Sequence, residues 1–237
     1  MALLTSISAY YKLDESSGDA ADATGNGKTL TNTGTLGYTT GKINNGANFD
    51  GTATKHLKVN DNLGLTSTSS SSVNFWVKYT TNTGYIIDWF TQSGAQRRYI
   101  IYFDGTNHFR TYFSNNDNPA IGPALSSGTW YMATLTISSG SSAIFYVNAT
   151  SYGSPGSMSS AGGAVDRFSI GGAGDSDGAP CNCVLDEVGV WAQALSAGDI
   201  TSLYNGGAGF QYPFSSPVFT KVVNLAMQQA VRRASSF

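Results

Sequence analysis

Charge is scarce in this 237-residue chain, which carries 13 Lys and Arg against 15 Asp and Glu for a formal net charge of -2. A chain with no basic field cannot hold a phosphate backbone by counterion release, which excludes a nucleic-acid partner. Long apolar runs are missing too. No stretch approaches the roughly 20 residues that a spanning helix needs, which excludes membrane insertion by a helix. The opening residues MALLTSISAYYKLDES have neither a basic n-region nor an apolar h-region followed by a cleavage site, so no signal peptide is expected. Cysteine is limited to Cys181 and Cys183 and histidine to His56 and His108. Two cysteines one residue apart on a strand are awkwardly placed for a disulfide, so reduced thiols are expected, with a strained bridge as the alternative. A lone CxC with no second Cys or His cluster is a weak zinc signal. The histidines show no ligand spacing and are expected on loops or at the surface.

What the chain has in quantity is Gly (28 residues), Ser, Thr, Asn and aromatics (12%). That composition suits short strands joined by tight turns. Turn chemistry recurs about every ten residues, the spacing of a sandwich or barrel. Strands are predicted at 8–13, 46–51, 56–59, 71–80, 84–91, 97–103, 108–114, 128–138, 142–150, 166–172 and 184–191. The period of two is clearest where Trp130, Met132, Thr134 and Thr136 alternate with Tyr131, Ala133, Leu135 and Ile137. Antiparallel sheets follow, and Trp76 and Trp130 are assigned to the core. One helix is expected in SAGDITSLYNGG, capped by Ser196, ended by Gly206 and Gly207, with Ile200, Leu203 and Tyr204 on one face. A second is expected in FSSPVFTKVVNLAMQQAVRRASSF, with Ser216 as cap and Pro217 at its first turn. The organisation is therefore one domain over 1–212 and an amphipathic tail over 213–237.

Three stretches together resemble the laminin-G-like, concanavalin-A-like jelly-roll domains. They are AYYKLDESSGDAADATGNGKTLTNTG (9–34) followed by GKINNGANFDG (41–51), SGTWYMATLTISSGSSAIFYVNAT (127–150), and FSIGGAG with VLDEVGVWAQALSAGDITSLYNGG (168–207). The resemblance spans nearly all of 8–212. It implies an all-β antiparallel jelly-roll sandwich, and it implies a structural calcium near the first loop and the closing strand.

Asp186 and Glu187 stand side by side inside LDEVGVW. Alternation puts them on opposite faces, so one carboxylate turns inward and needs a cation or a set of N–H groups. The loop DATGNG offers the oxygen ligands that Ca²⁺ takes, which gives a candidate site of Asp22, Asn26 and Asp186 with Asp50 as a further contributor. The alternative is metal-free, with Asp186 accepting from the amides of the Gly25–Gly27 turn.

Catalysis is not expected. No two or three carboxylates share a strand face as glycoside hydrolysis requires, and no GxSxG context is present. Carbohydrate binding is expected instead from rings set beside polar groups, with Trp89, Tyr102 and Tyr112 stacking near Asn115, Asn116 and Asp117. For any one ring the competing expectation is the core. A lectin-like domain without an export signal suits a bacteriophage particle, assembled in the host cytoplasm and exposed on the virion surface as a capsid decoration or tail-fibre component. Val218, Val222, Leu225, Arg232 and Arg233 of the tail would then dock on a capsid or tail protein or on further copies of the chain; packing back on the domain is the alternative. The other setting is extracellular, as a secreted or cell-surface calcium-dependent lectin.

Overall fold

The computed structural model describes residues 2–66, 69–91, 97–113, 116–117, 121–138, 142–153, 166–176 and 178–214. The strands are β1 (Ile7–Tyr11), β2 (Thr31–Thr33), β3 (Gly37–Thr40), β4 (Asn45–Asp50), β5 (His56–Val59), β6 (Ser71–Thr81), β7 (Thr83–Phe90), β8 (Arg97–Asp104), β9 (Phe109–Phe113), β10 (Asn116–Asp117), β11 (Tyr131–Ile137), β12 (Ala143–Val147), β13 (Thr150–Ser151), β14 (Arg167–Ile170) and β15 (Asn182–Trp191). They form two antiparallel sheets. The eight-stranded sheet runs β13-β12-β11-β6-β15-β4-β3, with β1 added against β15, and the seven-stranded sheet runs β10-β9-β8-β7-β14-β5-β2. The alternation predicts the antiparallel sheets, and the resemblance implies the jelly-roll sandwich they form.

The core lies between the sheets. On β11, Ala133, Leu135 and Ile137 point inward opposite Phe75, Val73 and Ser71 of β6. From the seven-stranded sheet come Ile87, Trp89, Tyr99, Ile101, Phe103, Phe109 and Phe113. Each such side chain contributes about 1.5–3 kcal/mol when fully buried.

The outer face of the eight-stranded sheet is covered as well, which explains why its outward positions are apolar. Trp76, Met132, Tyr146 and Trp191 lie under Leu3 of helix α1 (Ala2–Thr5), Ile200 and Leu203 of helix α2 (Ala197–Tyr204), and Phe214. Helix α2 starts where expected. Ser196 accepts from the Asp199 N–H and the Asp199 carboxylate accepts from the Ser196 N–H, a reciprocal capping box. It ends at Asn205 in the left-handed region, followed by a 3-10 turn over Asn205–Gly207. The predicted tail helix, with its docking residues Val218, Val222, Leu225, Arg232 and Arg233, lies outside the described residues.

Several local expectations are corrected. Cys181 and Cys183 form a disulfide. Cys181 precedes β15 instead of lying in it, and the Cα atoms stand 5.7 Å apart, within bridging range. His56 is buried in β5. Trp130 lies just before β11 and is half-buried, with Lys78 Nζ 5.1 Å from its ring. The strand predicted at 142–150 ends early because Asn148 and Ala149 both turn with positive φ. Strands β2, β3 and β10 and helix α1 were not expected; β2 and β3 are short and largely exposed, so they carry little hydrophobic pattern.

Candidate functional site

At Asp186 and Glu187 strand β15 breaks its alternation. Its register to β6 shifts between Asp186 and Gly189, and Glu187 takes a φ of 51°. The extra residue keeps Leu185, Val188 and Val190 in the core and sends both acids out beneath the covering layer. This overturns the expected opposite faces. Asp186 Oδ2 accepts from the N–H groups of Lys42 (2.7 Å) and Ile43 (2.8 Å), and Oδ1 accepts from Glu187 N–H (2.8 Å). Gly41 permits the close approach, because a Cβ there would stand 2.6 Å from Asp186 Oδ2. Glu187 accepts from the Tyr10 hydroxyl and from Gln211 Nε2 (2.6 Å), which also reaches Asp14 (3.1 Å). Burial and then the neighbouring Glu187 push the Asp186 carboxyl up to about 8. Burial pushes Glu187 up to about 7 against the bonds from Tyr10 and Gln211.

The expected calcium ligands do not fit a cation. Asp22 Oδ1 accepts from Tyr10 N–H (3.2 Å), Thr24 N–H (3.0 Å) and Thr24 Oγ1 (2.7 Å), and Oδ2 accepts from Lys28 N–H (3.1 Å). Asn26 donates its side-chain amide to Ser8 O (3.0 Å). Asp50 pairs with Lys55 Nζ (2.6 Å), which with Thr52 lowers its carboxyl to about 2. Donors therefore already face the oxygens that a metal would take, and among the described residues no group of three or more His, Cys, Asp or Glu converges. For Asp186 the amide alternative describes the geometry, with Lys42 and Ile43 donating in place of the Gly25–Gly27 turn.

The opposite side of the sandwich holds the more open feature. Tyr85, Ile100, Tyr102 and Tyr112 line a depression of about 240 Å³ on the outer face of the seven-stranded sheet. Ile100 forms its buried floor, and the three tyrosines are half-buried. Cross-strand pairing sets them together: Tyr85 faces Tyr102, and Ile100 faces Tyr112. The Tyr85 and Tyr102 rings meet edge to face at 6.0 Å. Beside Ile100 in the same row is Asp88. Asp88 Oδ1 takes Arg97 Nε at 3.1 Å, and Arg97 Nη2 reaches Asp175 Oδ2 at 2.7 Å. Burial raises the Asp88 carboxyl to about 7, with Arg97 opposing. Burial also raises the Tyr85 phenol. Across the depression Arg110, the neighbour of Tyr102, pairs with Asp104.

Of the rings expected to stack on sugar, Tyr102 and Tyr112 are brought together. Trp89 is not: it is 0% exposed, packed between Tyr99 and Phe168, and a ring with no open face cannot stack on a ligand. Phe109 and Phe113 are likewise core. Asn116 and Asp117 lie on β10 beside Phe113 and Tyr112, and Asn115 lies outside the described residues. Tyr85 was missed because strict alternation groups it with Ile87 and Trp89. A register shift between Tyr85 and Ile87 moves it to the face of Asp88. The signal for Trp89 stands next to it, since the ion-paired Asp88 faces outward and so turns its neighbour in.

The fold recurs in solved structures, among them the following three. Domain 4 of AbnA, an extracellular arabinanase from Geobacillus stearothermophilus in complex with arabinotriose, is 22% identical with a TM-score of 0.64, covering 83% of this chain and 97% of that one. The binding domain of Paraclostridial Mosquitocidal Protein 1 is 15% identical with a TM-score of 0.67, covering 86% of this chain and 53% of that one. Trypanosoma rangeli sialidase in complex with sialic acid is 13% identical with a TM-score of 0.66, covering 85% of this chain and 33% of that one. The chain thus spans about half of the toxin structure and a third of the sialidase. No curated protein matches it in sequence. Residues 49–201 match a family of concanavalin A-like lectins and glucanases, and the chain belongs to the Concanavalin A-like lectin/glucanases superfamily.

Proposed function

We propose that this domain is a non-enzymatic carbohydrate-binding module whose ligand sits on Tyr85, Tyr102 and Tyr112. One observation carries this: three half-buried tyrosines enclose an apolar floor on the outer face of the seven-stranded sheet. Phenol rings offer flat apolar area to sugar C–H groups and hydroxyls to sugar hydroxyls. The arabinanase domain of the same fold, solved with arabinotriose, supports the choice of ligand class. The nearby carboxylates speak for binding over hydrolysis. Glycosidases flank the scissile bond with two available carboxyls, whereas Asp88 is fully buried and Asp88, Asp175 and Asp104 are each engaged by an arginine.

The setting we infer is an exposed surface, that of a phage particle or, alternatively, of a secreted adhesin. The Cys181–Cys183 bridge supports an oxidising environment. Antibody labelling of intact particles against their unassembled proteins separates the two settings.

A glycan array and calorimetry on the full chain test the binding function. Tyr102→Ala and Tyr112→Ala should each weaken binding at least roughly tenfold, about 1.4 kcal/mol, with the melting temperature little changed. Binding that survives both substitutions removes this site.

A further inference from the structure

Charge borders the depression on two sides, and in both places the cation is already paired. Next to Tyr85, the Arg97 guanidinium lies between Asp88 (3.1 Å) and Asp175 (2.7 Å), two carboxyls for one positive charge. Next to Tyr102, Arg110 is matched by Asp104. Lys58 shares the Asp88 row but stands three strands from Ile100, about 14 Å away at normal strand spacing, with its Nζ on Gly174 O. A sugar carboxylate entering among the tyrosines would lose water against an apolar floor, find no cation among the four lining residues, and meet the carboxyls that already claim Arg97 beside Tyr85. An uncharged sugar bears none of these penalties.

We propose that the depression selects uncharged saccharide units and rejects sialylated and uronate-bearing ones. The proposal rests on the carbohydrate-binding reading and narrows its ligand class. At about 240 Å³ the depression falls below the roughly 300–1,000 Å³ of drug-sized ligand sites, which suits one sugar ring of a longer chain.

The test is an array of matched neutral and acidic glycans, including arabinotriose, lactose against 3′-sialyllactose, and galactotriose against trigalacturonate, followed by calorimetry on the full chain. Neutral members should bind at least roughly tenfold tighter than their acidic counterparts. Asp175→Asn keeps the side-chain size and removes one carboxylate from Arg97, so it should narrow that gap by improving acidic binding. Asp104→Asn should act in the same direction through Arg110, which preserves the test if either variant folds poorly. An acidic glycan that binds as tightly as its neutral match overturns the selectivity and leaves carbohydrate binding standing. Failure of both classes to bind overturns both.

Discussion

Carboxylates left in a protein interior set the sharpest constraints here. Asp186, Glu187 and Asp88 titrate near 4 in an unfolded chain, but burial raises them to about 8, 7 and 7 in the fold. Between those limits the folded state keeps protons that the unfolded chain has released, so the contribution to stability is full below about pH 4 and falls as pH rises toward 8. The melting temperature should drop by more than about 2 °C between pH 5 and 8. Glu187→Gln keeps an acceptor for Tyr10 and removes one titration, so its decline should be shallower; a melting temperature that holds steady or rises in the wild type contradicts this. That one acid of the pair needs a partner is legible in LDEV. The identity of the partners is not, because Lys42, Ile43, Tyr10 and Gln211 reach the pair from distant parts of the chain.

Elements were easier to read than the faces they present. The strand pattern of 71–80 and 97–103 returns almost unchanged as β6 and β8, and helix α2 follows its capping residues. Parity failed at single inserted residues: the register shifts in β7 and β15 moved Tyr85 and Glu187 to faces that strict alternation denies them. A bulge is fixed by pairing with neighbouring strands, which no local pattern records. Two predictions belong at this scale. Ser196→Ala removes the reciprocal cap of α2 and should cost about 1 kcal/mol, read as a lower denaturation midpoint. Gly41→Ala should cost more than the cap, since its methyl group would collide with the Asp186 carboxylate and the turn that holds it. Equal losses from the two would argue that the turn yields easily.

For the whole molecule, the two outer faces differ in kind. The eight-stranded sheet is roofed by α1, α2 and Phe214 over Trp76, Met132 and Trp191, while the seven-stranded sheet presents Tyr85, Tyr102 and Tyr112 beside paired charges. Composition and turn spacing suffice for antiparallel sheets and the motif resemblance for the sandwich; neither says which outer face carries the roof, because the roofing residues are as apolar in sequence as the core. If the tail is an assembly device, removing residues 215–237 should lower the mass measured by light scattering from a defined oligomer to a monomer, and an unchanged mass would count against it. The most direct test of the central claim is amide chemical-shift mapping of the full chain titrated with a neutral oligosaccharide selected from the array. The largest shifts should cluster at Tyr85, Ile100, Tyr102 and Tyr112; shifts centred on the roofed face or the sandwich ends, with those four unmoved, would contradict it.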